Sequence, residues 1–288
     1  MKNIFCNLAC ENKNENNTYI FIDGSYYCFY RYYSLLNWWK LAFPEIPLYN
    51  PIENETFVDK YKKTFIENIQ NLQKNLKINK NINPIFIVGK DCKRENIWRL
   101  NLFKDYKANR DKNNDDLFKG GPFFQLTYEE KLFEQAGIKE VLKHRHLEAD
   151  DCIALYVKNL LKNNNNDNNK CNIYIITSDK DYLQLVEPRV KIYNLSFKNL
   201  AEQKSSFGCP QKDLFCKILT GDTSDNIPSV LKKCGPKTAL KCFDDKEYFA
   251  DRLSIEHAND KFQLNQKLID FNYIPENLVT EFYDSINF

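Results

Sequence analysis

Glycine is scarce in this 288-residue sequence, with 8 residues, and the sequence holds 3 His and a single Met. So few His, and no Cys-x-x-Cys pair, exclude a zinc ribbon or finger. Cys6/Cys10, Cys209/Cys216 and Cys234/Cys242 are spaced too loosely for either. No run reaches the roughly 18 apolar residues of a membrane span. The apolar stretch at 4–10 is short and broken by Asn7, unlike a signal-peptide core. The 10 Cys are therefore expected to be reduced thiols packed as small hydrophobes in an intracellular, non-membrane protein. Charge of one sign is also missing. Lys plus Arg number 41 and Asp plus Glu 39, a net charge of +2, which excludes a globally basic nucleic-acid coat but not local patches.

What is present is an ordinary globular composition, 43% hydrophobic and 28% charged, with aromatics at 14% to fill a core. Residues 1–18 are polar and read as a tail. Short apolar runs at 19–22, 84–88, 138–142, 173–177 and 190–193 predict strands. Helical patterns fill an aromatic segment ending near Phe43, then 55–77, 129–135 and 148–161, with Gly137 as a stop. Residues 163–170 form a polar surface loop. Beyond 200 the pattern is helical, broken at 221–228 and at Gly235-Pro236. Strands alternating with helices predict an α/β fold with a mainly parallel sheet.

The acids fall at defined places in that pattern. Asp23 closes the first strand and Asp91 follows the second. Glu148, Asp150 and Asp151 open a helix, where the dipole favours them. Asp179 and Asp181 follow another strand, and Asp222 and Asp225 lie in a loop between helices. Ligands of an open α/β sheet bind in the crevice outside the carboxyl ends of its strands. A single Asp after a strand is usually a turn former or helix cap; the joint placement is what implies a site. So many carboxylates together repel one another. Oxygen-only donors suit Mg²⁺, with Mn²⁺ as a substitute. Two such ions about 4 Å apart would activate water and stabilise the leaving oxygen of a phosphodiester.

Two clusters are locally basic. Residues 94–112 hold six bases and three acids, with Trp98 and Tyr106 interleaved, and residues 229–246 hold five Lys and two Asp. A solvated face is the commoner meaning of such runs. The first also suits an unpaired base stacked beside phosphate contacts. The second surrounds a tight turn into a helix whose amides can meet a phosphate.

These stretches resemble the 5′ nuclease superfamily: flap endonucleases, phage 5′-3′ exonucleases and the 5′-nuclease domain of bacterial DNA polymerase I. The similarity runs through FIDGSYY (21–27), WRLNLFKDYKANRD (98–111), LEADDCIA (147–154), ITSDKDYLQLV (176–186), LTGDTSDNIPSV (219–230), GPKTAL (235–240) and LNQKLIDFNYIP (264–275). The resemblance implies a PIN-like (Rossmann-like) core over 19–200, with a helical arch at about 94–130 admitting a single strand. It also implies, over 201–288, a helix-hairpin-helix DNA-binding lobe and C-terminal helices. Asp23, Asp91, Glu148, Asp150, Asp151, Asp179, Asp181, Asp222 and Asp225 fall on or beside metal-site acids. Glu148, Asp150, Asp151 and Asp179 are expected to matter most to chemistry. Lys107 and Arg110 match the pair that contacts the scissile phosphate, and Tyr106 would stack on the terminal base. Arg99, Lys232, Lys233, Gly235, Lys237 and Thr238 are the further DNA contacts, and K⁺ is the expected ion at the hairpin. The sequence departs from the pattern in three places, the first being the Arg of the helix after the DGS turn, which stands one position late at Arg31 with Tyr30 in its place. Asp91 lies later than in most members, and the hairpin reads Lys233-Cys234-Gly235 without its first Gly.

The implied activity is Mg²⁺-dependent 5′-3′ exonuclease and flap endonuclease cleavage in replication and repair. The implied substrates are DNA with a 5′ flap, a nick or an RNA primer, and the products carry 5′ phosphates. The expectation is a monomer working beside a replication polymerase or clamp. A non-catalytic DNA-binding protein on the same scaffold is the alternative, although clustered acids would only repel phosphate. A PIN-type ribonuclease would not need the hairpin lobe.

Overall fold

The computed structural model describes residues 17–110, 118–163 and 171–286. The order of elements begins β1 (Thr18–Asp23), α1 (Gly24–Ala42), α2 (Glu55–Gln70), α3 (Leu72–Asn75) and β2 (Ile85–Gly89). It continues with α4 (Gly121–Glu129), α5 (Leu132–Gln135), β3 (Glu140–Leu142), α6 (Ala149–Asn163), β4 (Asn172–Ile176) and β5 (Val190–Tyr193). The last third holds α7 (Pro210–Thr220), α8 (Pro236–Asp244), α9 (Lys246–Ile255), α10 (Asn259–Ile269) and α11 (Glu276–Ser285).

The five strands form one parallel sheet in the order β3-β2-β1-β4-β5. The chain runs outward from β1 through β2 and β3, then returns to place β4 on the other side of β1. The switch point of the topology therefore lies at the carboxyl ends of β1 and β4, where a crevice opens. Side chains alternate across the sheet. Phe21, Ile87 and Ile175 face α6 on one side; Ile20, Ile22, Val88 and Ile176 face α1 and α2 on the other. Burial of both faces explains why the strands read as apolar runs.

Two close approaches position the crevice. Asp23 ends β1 and caps α1, its Oδ1 accepting from Tyr26 N–H at 3.0 Å. A Cβ on the next residue, Gly24, would lie 2.6 Å from the Gly89 carbonyl oxygen, so only glycine lets α1 start against the end of β2. At the end of α7, Gly221 has φ +72°, and a Cβ there would lie 2.4 Å from the Ile227 oxygen, so the turn carrying Asp222 demands glycine.

Two sequence expectations need correction. The helix read at 55–77 ends at Gln70 and resumes as α3. Of the tail read at 1–18, Thr18 already pairs in β1; residues 1–16 lie outside the described ones, as do 164–170 of the polar loop. The segment 201–288, read as a hairpin lobe with C-terminal helices, divides its apolar residues between two cores. Cys216, Leu219, Val230, Leu231, Ala239 and Leu253 make a separate small core. Phe271, Ile274, Leu278 and Phe282 instead join the main core with Phe21 and Ile175, and Tyr283 Oη donates to the Leu155 carbonyl at 2.9 Å. The amphipathic pattern of α11 reports an apolar face but not which core receives it.

The arch expectation at 94–130 meets a partial view. Residues 94–110 form three short 3₁₀ turns lying against the crevice. Helix α4 packs on α1, with Phe123 buried between Tyr32, Phe57 and Tyr61. Residues 111–117 lie outside the described residues.

Candidate active site

The crevice has a volume of about 770 Å³ and is lined by Asp23, Asp91, Glu148, Asp150, Asp179 and Asp222, with Lys107, Arg110 and Lys217 among them. Each acid is placed by local structure. Asp91 accepts from Ala149 N–H at 2.8 Å and from the Ser25 hydroxyl, tying the end of β2 to the starts of α6 and α1. Asp179 caps the 3₁₀ turn after β4 by accepting from Asp181 N–H at 2.9 Å. Asp222 accepts from Ser224 N–H at 2.8 Å and Ser224 Oγ at 2.6 Å.

Three carboxylate sets each bring one oxygen per residue within 4.8 Å of the others: Glu148/Asp150/Asp151, Asp150/Asp179/Asp181 and Asp181/Asp222/Asp225. Asp150 and Asp181 are shared, so the sets form one continuous chain of acids. Among the described residues, ion pairs reach Glu148, Asp151, Asp181, Asp222 and Asp225. Among the described residues, Asp23, Asp91, Asp150 and Asp179 have no cationic side chain paired to them.

The electrostatics follow from this division. Burial, and then the charge of Asp91, push Asp23 up to about 7. Burial, then Asp151 and Glu148, raise Asp150 well above its ordinary value. Burial takes Asp181 up to about 7 even though Lys217 opposes it. For Asp222, Lys217 and the Ser224 bonds outweigh burial and hold the carboxyl down at about 2. Burial would raise Glu148 too, but Lys107 and Arg99 keep it below the usual carboxylate range.

Several residues do not stand where the sequence places them. Arg99 was expected on DNA. It is 2% exposed, and its guanidinium is consumed internally: Nη1 donates to Glu148 at 2.9 Å, Nη2 to Asp151 Oδ1 at 2.7 Å and Nε to the Leu268 carbonyl at 2.7 Å. Tyr106 was expected to stack on a base. Its ring is buried, and its hydroxyl donates to Glu148 at 3.0 Å and Asp225 at 3.1 Å. Trp98 is also buried, its Nε1 donating to Asp151 at 2.9 Å. Asp151 therefore has both oxygens occupied by Arg99 and Trp98, which makes it a support beneath Glu148 rather than an open ligand.

Lys107 and Arg110 do reach the crevice. Lys107 Nζ donates to Glu148 Oε1 and lies 3.8 Å from Asp225; Arg110 Nη2 donates to Asp225 Oδ1 at 2.6 Å. Sequence reasoning missed Lys217. On α7 it pairs with Asp181, and with Asp222 at 2.9 Å. Its position one turn before the GDTSDNIP loop was the available signal. Of the hairpin residues, Lys232, Lys233 and Gly235 lie between α7 and α8, and Lys237 and Thr238 stand in the first turn of α8. Lys232, Lys233, Gly235 and Lys237 are exposed and Thr238 is half-buried.

Fold and site together define an α/β nuclease: a parallel sheet carrying a crevice of oxygen donors at its switch point. The family model for the 5′-3′ exonuclease N-terminal resolvase-like domain matches residues 18–211. The 5′-3′ exonuclease of Buchnera aphidicola subsp. Acyrthosiphon pisum is 32% identical over 233 residues, 78% of this chain and 70% of that protein. The ribonuclease H of Enterobacteria phage T4 is 28% identical over 218 residues, 68% of each. The bacteriophage T5 D15 protein, crystallised with metal ions, shares the fold with a TM-score of 0.62 over 93% of this chain and 98% of that one, at 16% identity. The chain belongs to the 5′-3′ exonuclease family. Among the described residues, no helix is long and apolar enough to cross a membrane.

Proposed function

We propose that this nuclease hydrolyses phosphodiesters at 5′ flaps, nicks and RNA-primer ends, using two Mg²⁺ ions. The observation that carries the reading is the set of unpaired acids. Among the described residues, Asp23, Asp91, Asp150 and Asp179 line one crevice with no cationic side chain paired to them, and burial together with neighbouring carboxylates pushes Asp23 and Asp150 upward. Hard divalent ions fit such all-oxygen donors, and Mg²⁺ tends to keep part of its water shell. Such ions would supply an activated water and offset charge on the departing oxygen.

The chain's own residues supply the rest. Asp150, Asp179, Asp23 and Asp91 would hold one ion; Asp181, Asp222 and Asp225 would serve the second, partly through water. Asp151 fixes Arg99, and Arg99 fixes Glu148. Lys107 and Arg110, now on Glu148 and Asp225, would turn to the scissile phosphate as its charge develops. The exposed Lys232, Lys233 and Lys237 would hold duplex phosphates, beside the α8 amides and the open surface at Gly235, where an added Cβ meets nothing within 4 Å. The solved T5 D15 flap endonuclease is a complex with DNA and metal ions, and DNA polymerase I of Treponema pallidum is 35% identical over 150 residues; both support a replication-linked DNA substrate. K⁺ at the hairpin rests on the family resemblance.

The test is cleavage of 5′- and 3′-labelled duplexes bearing a flap, a nick or an RNA primer, in Mg²⁺, Mn²⁺ or EDTA. Cutting near the junction, with a 5′ phosphate on the product and none in EDTA, is expected. Cleavage of unpaired RNA at equal rate without any duplex would overturn the substrate reading.

A further inference from the structure

The segment carrying Lys107 and Arg110 is fastened to the loop carrying Asp222 and Asp225, although more than 100 residues separate them. Lys107 N–H donates to the Asp225 carbonyl at 2.9 Å. Asn109 Nδ2 donates to the Thr223 carbonyl at 2.6 Å. In the opposite direction, Asn226 Nδ2 donates to the Asp105 carbonyl at 2.8 Å. Arg110 Nε reaches the Ser224 carbonyl at 3.3 Å. The loop is itself closed, because Asp222 and Ile227 exchange backbone bonds at 2.9 and 2.7 Å. Both sides carry left-handed residues: Lys107 has φ +58° and Asn226 φ +59°. That conformation suits Asn and is uncommon for Lys.

We infer that Asn109 and Asn226 form a reciprocal clasp that positions Lys107 and Arg110 over the acid crevice. The inference rests on the reading of Lys107 as a phosphate contact. Neither asparagine touches the crevice through its side chain; each donates to a backbone carbonyl of the opposite segment. Without them, the segment would keep the Lys107 backbone bond and the bonds of Tyr106 and Arg110 to the 224–225 turn, and Arg94 would still bond the Lys107 carbonyl, but both amide links that lock the two backbones together would be gone. A long, strongly hydrated side chain on a loose segment samples many positions. A mispositioned charge of this kind costs rate rather than affinity, because phosphate contacts elsewhere still bind the duplex. The clasp also joins the segment at 94–110 to the turn that follows α7, the helix leading to the hairpin. Duplex held at the hairpin is thereby linked to the lysine over the crevice.

The experiment is a double-mutant cycle read by single-turnover cleavage of a 5′-flap duplex at saturating enzyme, in Mg²⁺. Asn226→Gly keeps the left-handed backbone and removes only the bond to Asp105. Asn109→Ala removes the bond to Thr223. Each is expected to slow cleavage roughly ten- to hundredfold, as an ångström-scale misplacement does, with the DNA dissociation constant unchanged within about twofold and the melting temperature close to that of the wild type. In a Lys107→Ala background, neither is expected to slow cleavage further, because residues acting as one unit are non-additive. The inference fails if Asn226→Gly cleaves at the wild-type rate. It also fails if either substitution costs the same factor with and without Lys107, since the asparagine would then act through Asp225 or through folding. A fully active Lys107→Ala would overturn the phosphate-contact reading itself and the clasp with it, an outcome separable from the other two.

Discussion

Replacing Arg99 with methionine separates two roles that its sequence context leaves open. On DNA, an arginine contributes to affinity and to its salt dependence. In the structure it contributes to the fold. Arg99 is 2% exposed and donates to Glu148, to both oxygens of Asp151 and to the Leu268 carbonyl. Methionine has much of the volume but no charge and no donors. It would leave Asp151, which is fully buried, with only Trp98 Nε1 and the Glu148 N–H as donors. Removing one partner of a buried, hydrogen-bonded ion pair costs about 3–5 kcal/mol, because the remaining charge stays uncompensated. At about 2–4 °C per kcal/mol for a chain of roughly this size, the melting temperature should fall by roughly 6–20 °C. The assay is thermal unfolding in EDTA, followed by far-ultraviolet circular dichroism. A second readout is the slope of log binding constant against log salt for a flap duplex. It should be unchanged for the folded variant, whereas loss of a phosphate contact would lower it by about 1. A melting temperature within a degree of wild type, together with a shallower salt slope, would refute the reasoning and return Arg99 to the DNA surface.

Other consequences follow from the same geometry. Asp23 and Asp181 have folded-state values near 7, above the roughly 3.9 of an unperturbed Asp. The folded protein therefore holds protons that the unfolded chain releases, and this stability, full below about pH 4, is lost as pH rises through about 7. In EDTA the melting temperature should fall between about pH 5 and 8, and Ca²⁺ or Mg²⁺ should restore more of it at pH 8 than at pH 5; equal restoration at both would contradict the site. Lys217→Met removes the cation shared by Asp181 and Asp222. It should tighten Mn²⁺ binding by calorimetry about three- to tenfold while lowering metal-free stability; unchanged affinity would show that Lys217 does not compete with the ion. Phe282→Ala should cost about 3–5 kcal/mol in chemical denaturation, because the ring is fully buried in the main core. A loss under about 1 kcal/mol would place α11 outside that core.

The sheet and the acids were legible for one physical reason. A parallel strand buried on both faces has little choice but an apolar run, so 19–22, 84–88 and 173–177 read directly as strands, and the acid after each, Asp23, Asp91 and Asp179, fell at the crevice. The segment at 94–110 was not legible in the same way. Its alternation of Trp, Arg, Tyr and Lys is the pattern of an exposed nucleic-acid surface and equally of a buried network. The deciding partners, Glu148, Asp151 and Asp225, lie 41 to 119 residues away. Burial of Arg99 is a consequence of tertiary pairing that no local period encodes. Lys217 was half hidden: its place one turn before the acidic loop pointed to Asp222, but nothing local pointed to Asp181, which comes from the turn after β4. The terminal helix showed its apolar face but not its destination, since α11 returns to the main core of the sheet.

The central claim is that the converging acids are a cation-dependent cutting site and not a charged scaffold. It is tested most directly by measuring binding and cleavage of one 5′-flap duplex by wild type, Asp150→Ala and Asp179→Ala in Mg²⁺. The account predicts that both variants still bind the duplex but cut it at least about a thousandfold more slowly, the scale expected when a main electrostatic contribution to catalysis is lost. Undiminished cutting by either variant, or wild-type protein that binds the flap tightly and never cuts in Mg²⁺ or Mn²⁺, would contradict it.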